Sequence, residues 1–170
     1  ARQPRLPVAT EAEARAIPPD SWPAGPLPQW VLVLANFPRD GRGRILGIKQ
    51  ADEQLDLDPK LRAQVSWIAA RQDRAWYAVG HAQRKLRELG ARDDEIFALD
   101  GDWSQFTPAE RAAFGFSKKL AATMDLVSDA DVAHLRTHLS DRDIVQLVHF
   151  LTTRAFFNRV TEAAGLQLEP

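Results

Sequence analysis

Residues 61–90 read LRAQVSWIAARQDRAWYAVGHAQRKLRELG, two consecutive helical patterns with a tight corner between them. Asp58 and Pro59 open the first, Asp58 as N-cap and Pro59 at the first helical position, where a missing N–H costs nothing. Leu61, Val65 and Ile68 then recur at helical spacing, and Gly90 supplies a stop for the second helix. Arg71, Asp73, Arg74, Trp76, Tyr77 and His81 crowd the junction. That mixture of cations, aromatics and one imidazole makes the corner the first place to seek a site.

Toward the C-terminus the helix signals continue. Asp93-Asp94-Glu95 opens a short helix with its acids where the helix dipole favours them. Thr107-Pro108-Ala109-Glu110 has the form of a capping box and starts a helix to about Leu120 to Thr123, while Ser128 and Ser140 stand as N-caps of two more. The last helix, from Asp141 to about Ala164, carries Ile144, Leu147, Val148, Leu151, Phe156 and Val160 around much of its circumference. A helix that apolar is central to the core or buried against another subunit.

Toward the N-terminus the pattern changes. The first 28 residues hold seven of the eleven prolines (Pro4, Pro7, Pro18, Pro19, Pro23, Pro26 and Pro28), which excludes a long helix there. We read 1–28 as a Pro-rich arm with one helical piece near Glu11 to Ala16, anchored by Trp22 and Trp30, and 29–170 as a single helical domain. From Gln29, QWVLVLANF fits a buried helix or a short strand, and periodicity does not separate them. Asp40-Gly41-Arg42-Gly43 reads as a turn whose glycine spacing is too poor for a phosphate loop.

The 170 residues are 45% hydrophobic and 26% charged, enough for one sizeable core. A net charge of −1 gives no electrostatic reason to bind nucleic acid or an anionic membrane surface. The longest apolar run, Trp30 to Ala35, is far too short to cross a bilayer. The opening ARQPRLPVAT lacks the apolar core of a signal peptide but fits the end left after removal of one, so the compartment stays open, with the cytoplasm favoured.

The order of Leu-Asp-Pro, a helix, an Arg-x-Asp corner, a Tyr, a His and a Gly before Asp94-Glu95-Ile96 resembles the carboxymuconolactone decarboxylase and alkylhydroperoxidase D-like family. Phe106 to Ala113, Ser140 to Val145 and Phe157-Asn158-Arg159 resemble its later helices, so the likeness covers roughly residues 55–168. It implies an all-α antiparallel bundle of seven to nine helices, with Leu61–Gln72 and Tyr77–Leu89 packed as a hairpin, and it turns the Gln29 segment toward helix. It also implies a homo-oligomer. Phe156 and Phe157 face about 100° apart, so at least one is expected to seek a second surface.

Redox members of that family carry a Cys-x-x-Cys-x-x-x-His line on the second helix and a Glu on the first. This chain has no cysteine. Aligned without a gap, the cysteines fall on Ala75 and Ala78, the His on Ala82 and the Glu on Ala63; a one-residue shift takes His81 as the His and puts Arg74 and Tyr77 at the cysteine positions. Either register excludes thiol peroxidase chemistry, which needs a thiolate and a resolving partner.

Three functions remain. In the first, His81, Tyr77 and Arg74 form one stripe if the helix already includes Arg74. His81 is then acid or base, Arg74 holds the anion of a small carboxylate or lactone, and Tyr77 stabilises developing oxyanion charge, with Arg71, Trp67, Trp76 and His149 around the ligand. No cofactor is required. The alternative is a non-catalytic oligomeric scaffold or small-ligand binder, with Tyr77 and Trp76 as packing residues, Arg74 paired to Asp73 or Glu88, and His81 bonded to a carbonyl. The third is a flat cofactor such as haem between Trp76, Tyr77 and His81. His134 and His138 share a helical face but lack a third metal ligand, and Asp100 and Asp102 lack the remaining ligands of a calcium loop.

Overall fold

The computed structural model describes residues 4–17, 22, 24–123 and 126–169. Among them are nine α-helices and no strand: α1 Glu11–Arg15, α2 Gln29–Leu34, α3 Pro38–Glu53, α4 Pro59–Asp73, α5 Trp76–Glu88, α6 Asp93–Phe97, α7 Pro108–Ala122, α8 Asp129–Arg136 and α9 Asp141–Ala164. A 3-10 turn, Ala98–Asp100, follows α6.

Local chemistry sets most boundaries. Thr10, Thr107, Ser128 and Ser140 each complete a reciprocal capping box with the acid three residues on. Asp58 accepts from the Leu61 N–H at 2.8 Å, with Pro59 just inside the helix. Gly165, at φ 65°, closes α9 in the left-handed conformation that glycine adopts without penalty. The Gln29 segment is helix, and the predicted hairpin is present as α4 and α5.

Residues 40–43 do not form the expected turn; they lie inside α3. Pro38 supplies its first residue, and Gly41 is there for proximity. A Cβ at Gly41 would stand 1.9 Å from the Leu34 carbonyl oxygen, so glycine is what lets α3 approach the end of α2.

The core has two apolar clusters. One joins Val65, Ile68, Leu86, Ile96, Phe114, Leu135 and Phe150; the other joins Ala14, Trp30, Val31, Ile45, Tyr77 and Phe157. Helices α4, α5 and α9 contribute to both, and α4 packs on α5, α7 and α9. Of the arm, Ala9, Ala14 and Ile17 are buried in the second cluster, and the Ala9 N–H donates to Leu32 O at 3.0 Å. Trp22 donates to Ile17 O, while Pro18, Pro19 and Pro23 lie outside the described residues.

Phe157 is buried edge-on to Trp30, and Phe156 lies half-buried beneath Arg44, whose guanidinium carbon is 5.0 Å from the ring centre. Both rings therefore find partners within the chain. Among the described residues no helix is long and apolar enough to cross a membrane.

Candidate functional site

A cleft of about 320 Å³ opens where the two clusters meet, between α4, α5 and α9. His81, Arg62, Ser66, Arg154, Phe150 and Phe157 line it. Ala63, Ala78 and Ala82 line it too, offering only methyl groups. The cations Arg62, Arg84, Lys85 and Arg154 outnumber the acids Asp52, Glu53 and Glu88, and Lys85 is paired with Glu88 at 3.3 Å.

Arg154 is a cation in the middle of the apolar run VHFLTTRAFF, four residues after Phe150 and three before Phe157. That spacing puts all three on one helical face, and the guanidinium carbon sits 5.2 and 5.1 Å from the two ring centres. Its side chain is only 11% exposed. Nη2 stands 3.0 Å from Asp52 Oδ1, a charge contact that does not close as a hydrogen bond, and both Nε and Nη2 are buried without one. Arg62, also buried, donates from Nη1 to Ala51 O and Asp52 O and leaves its Nε unpartnered.

On the other side of His81 the chain folds back. Leu168 rests against Gly80, where a Cβ would meet Leu168 Cδ2 at 2.6 Å. Glu169 then takes up the Tyr77–His81 corner: Oε1 accepts from the Tyr77 hydroxyl and from the Gln29 N–H, each at 2.7 Å, and Oε2 lies 3.4 Å from His81 Nε2. Arg84 donates to the Glu169 carbonyl at 2.7 Å. Burial works to raise the Glu169 pKa, but the His81 imidazole, the Gln29 N–H and the Tyr77 hydroxyl outweigh it and hold the carboxyl at about 2. Burial, reinforced by that carboxylate, pushes the Tyr77 phenol well above its usual range, so Tyr77 stays a neutral donor.

The predicted stripe is only partly assembled. His81 lines the cleft, and its ring centre is 4.5 Å from that of Tyr77. Tyr77 is buried against Glu169 and does not line it. Arg74 is outside both helices: it caps α4 in the left-handed region at φ 55°, and α5 begins only at Trp76, so the turn that would align it with Tyr77 is absent. Arg74 is exposed, and Asp73, its suggested partner, instead accepts from Asn158 at 2.8 Å.

Arg71, Trp67 and Trp76 form a separate clamp that does not line the cleft. Asp100 accepts from Trp67 Nε1 at 3.0 Å and from Arg71 Nε at 3.1 Å, and the guanidinium lies over both indoles. Trp67 is buried there, with no face for a ligand. Trp76 is 59% exposed while Tyr77 points inward, the 100° step between helical neighbours, so the two do not wall a slot for a flat cofactor. His149 is exposed and does not line the cleft. No group of three metal-ligating side chains occurs among the described residues; the His134 and His138 rings stand 5.4 Å apart without a third member.

The sequence reading missed Arg62, Arg154 and Glu169. Only Arg154 left a local trace, as a charge placed on the apolar face of α9. Glu169 reaches a tyrosine 92 positions away, and no spacing rule reports that.

No family profile and no curated protein matches the sequence. Solved structures do. The alkylhydroperoxidase AhpD core of an uncharacterized peroxidase-related protein from Ralstonia eutropha is 20% identical, covers 99% of this chain and 94% of its own, and superposes with a TM-score of 0.82. The debrominase Bmp8 without ligand is 17% identical over 95% of this chain and 90% of its own, with a TM-score of 0.80. A cysteine-to-alanine variant of Bmp8 in complex with 2,3,4-tribromopyrrole is 18% identical over 94% and 84%, with a TM-score of 0.75. The likeness is one of fold: this chain is an all-helical, alkylhydroperoxidase D-like structure without cysteine.

Proposed function

We propose that the protein binds a small carboxylate or lactone in the cleft and performs acid–base chemistry on it, with His81 as the proton donor or acceptor. The observation that carries this reading is Arg154: a buried guanidinium with unpartnered N–H groups, in the same cleft as an imidazole. A buried guanidinium whose N–H groups close no hydrogen bond is costly, even beside the Asp52 carboxylate, and a ligand carboxylate would satisfy it with charge-assisted hydrogen bonds. Arg154 and Arg62 take the anion-holding role that the sequence reading gave to Arg74. Phe150 and Phe157 supply apolar walls. Tyr77 supports His81 from behind through Glu169. The complex of the Bmp8 variant with 2,3,4-tribromopyrrole, a small molecule held by a protein of similar fold, supports a small-molecule ligand here.

Thiol peroxidase turnover has no nucleophile here, since the chain lacks cysteine. The partners this reading implies are a small molecule and further copies of the same chain, in a cytoplasmic setting, and neither nucleic acid nor membrane. A second reading, a binder without turnover, is favoured by Glu169, whose Oε2 already stands 3.4 Å from His81 Nε2.

Thermal unfolding against a panel of small carboxylates and lactones tests the site, because a ligand of the native state raises the midpoint. At least one compound is expected to raise it saturably in the parent and not in Arg154→Met. A panel without effect overturns the proposal. With a ligand in hand, His81→Ala separates the readings: loss of turnover with binding retained identifies chemistry, and bound ligand unchanged in both proteins identifies a binder.

A further inference from the structure

We propose that the niche beneath residues 166–169, on the far side of His81 from the cleft, is a receptor for a small carboxylate, with Glu169 as its resident occupant. The side chains alone make the case. A neutral buried hydroxyl, a main-chain N–H and an imidazole converge on one carboxylate, and Arg84 steadies the segment that carries it. Three donors converging on two oxygens form a recognition site for the carboxylate group, whichever molecule presents it.

The tethered occupant fills this site incompletely. His81 Nε2 and Glu169 Oε2 face each other at 3.4 Å, and both are buried without a hydrogen bond. That separation exceeds the 2.7–3.2 Å of ordinary N–H···O bonds. Leu168 against Gly80 and the Arg84 bond to the Glu169 carbonyl limit how far the carboxylate can advance. A free carboxylate has no such tether and can close the gap while keeping the Tyr77 and Gln29 bonds.

The segment is held more by hydrogen bonds than by apolar burial. Leu166 is buried, but Leu168 is 43% exposed, so peeling 167–169 away sacrifices little apolar burial. His81 borders both niche and cleft, so the niche's occupant decides what the imidazole is paired with. That consequence rests on the acid–base reading of the cleft; the niche itself does not.

Chemical complementation provides the test. Glu169→Ala and the parent are unfolded thermally in sodium acetate and in sodium chloride at matched ionic strength. Acetate is expected to raise the midpoint of Glu169→Ala saturably, with the parent at least tenfold less responsive and Glu169→Ala/Tyr77→Phe unresponsive. The same response must persist in Glu169→Ala/Arg154→Met, where the cleft is disabled. A response abolished by Arg154→Met but untouched by Tyr77→Phe belongs to the cleft and overturns the niche, as does equal behaviour in acetate and chloride. If Glu169→Ala does not fold, Glu169→Gln keeps the side-chain volume and removes the charge. The Gln29 amide resonance of that variant is expected to shift at lower acetate concentration than in the parent, and equal titrations overturn the proposal.

Discussion

Arg154 is the residue at which stability and function are expected to part. Arg154→Met removes a buried, incompletely bonded charge and leaves Asp52, itself 46% exposed, to water, so stability should hold or rise. Carboxylate affinity should fall about ten- to a hundredfold, the value of a charge-assisted hydrogen bond; calorimetric titration of any ligand from the panel measures it. Arg74 gives the opposite contrast. It holds a left-handed conformation that costs a non-glycine residue about 1–2 kcal/mol, and its side chain does not reach the cleft. Arg74→Gly is therefore expected to add up to about 1 kcal/mol, net of the added freedom of the unfolded chain, with ligand affinity unchanged. Glu169 governs the acid limb. Its folded pKa of about 2 lies below the ordinary 4.5, so its stabilisation is complete above about pH 4.5 and drains away as the pH falls toward 2. Thermal midpoints of Glu169→Gln and the parent should converge across that window; parallel curves would contradict the assignment.

At the scale of elements, what the sequence disclosed is what local chemistry fixes. The box at Thr107, the N-caps at Ser128 and Ser140, the Asp58-Pro59 start and the two helices of the hairpin depend on residues within one turn of each other, and all were readable. Helix α3 was not readable, because Gly41 and Gly43 signal a turn unless one knows that the end of α2 lies against Gly41. The expected cost of Gly41→Ala measures that packing. With the Leu34 carbonyl in the way, two helices must separate, and we expect a loss of about 2–4 kcal/mol in denaturant unfolding. An alanine tolerated within 0.5 kcal/mol would mean that α2 and α3 move apart freely. The candidate site was half legible for a related reason. His81 stands next to a recognisable motif, whereas its neighbours Arg62, Arg154 and Glu169 come from a helix start, a helix middle and a returning tail, and only the folded chain unites them.

At the scale of the whole molecule, the proposed self-association has a different basis from the one the sequence offered. Phe156 and Phe157 are satisfied within the chain, but Trp76, Phe97 and Val145 stand 59%, 55% and 68% exposed. Sedimentation equilibrium at micromolar concentration is expected to show a species larger than a monomer, and a monomer throughout would remove the proposal. The seam between the two clusters carries a consequence of another kind. Because α4, α5 and α9 belong to both, neither end of the molecule can open alone without stripping side chains from the other. A molecule lodged at that seam touches Ala82 and Phe150 from one cluster and Ala78 and Phe157 from the other. Its protection should therefore spread through the amide hydrogens of α2 and α7 alike, slowing their exchange with deuterated water far from any atom it contacts.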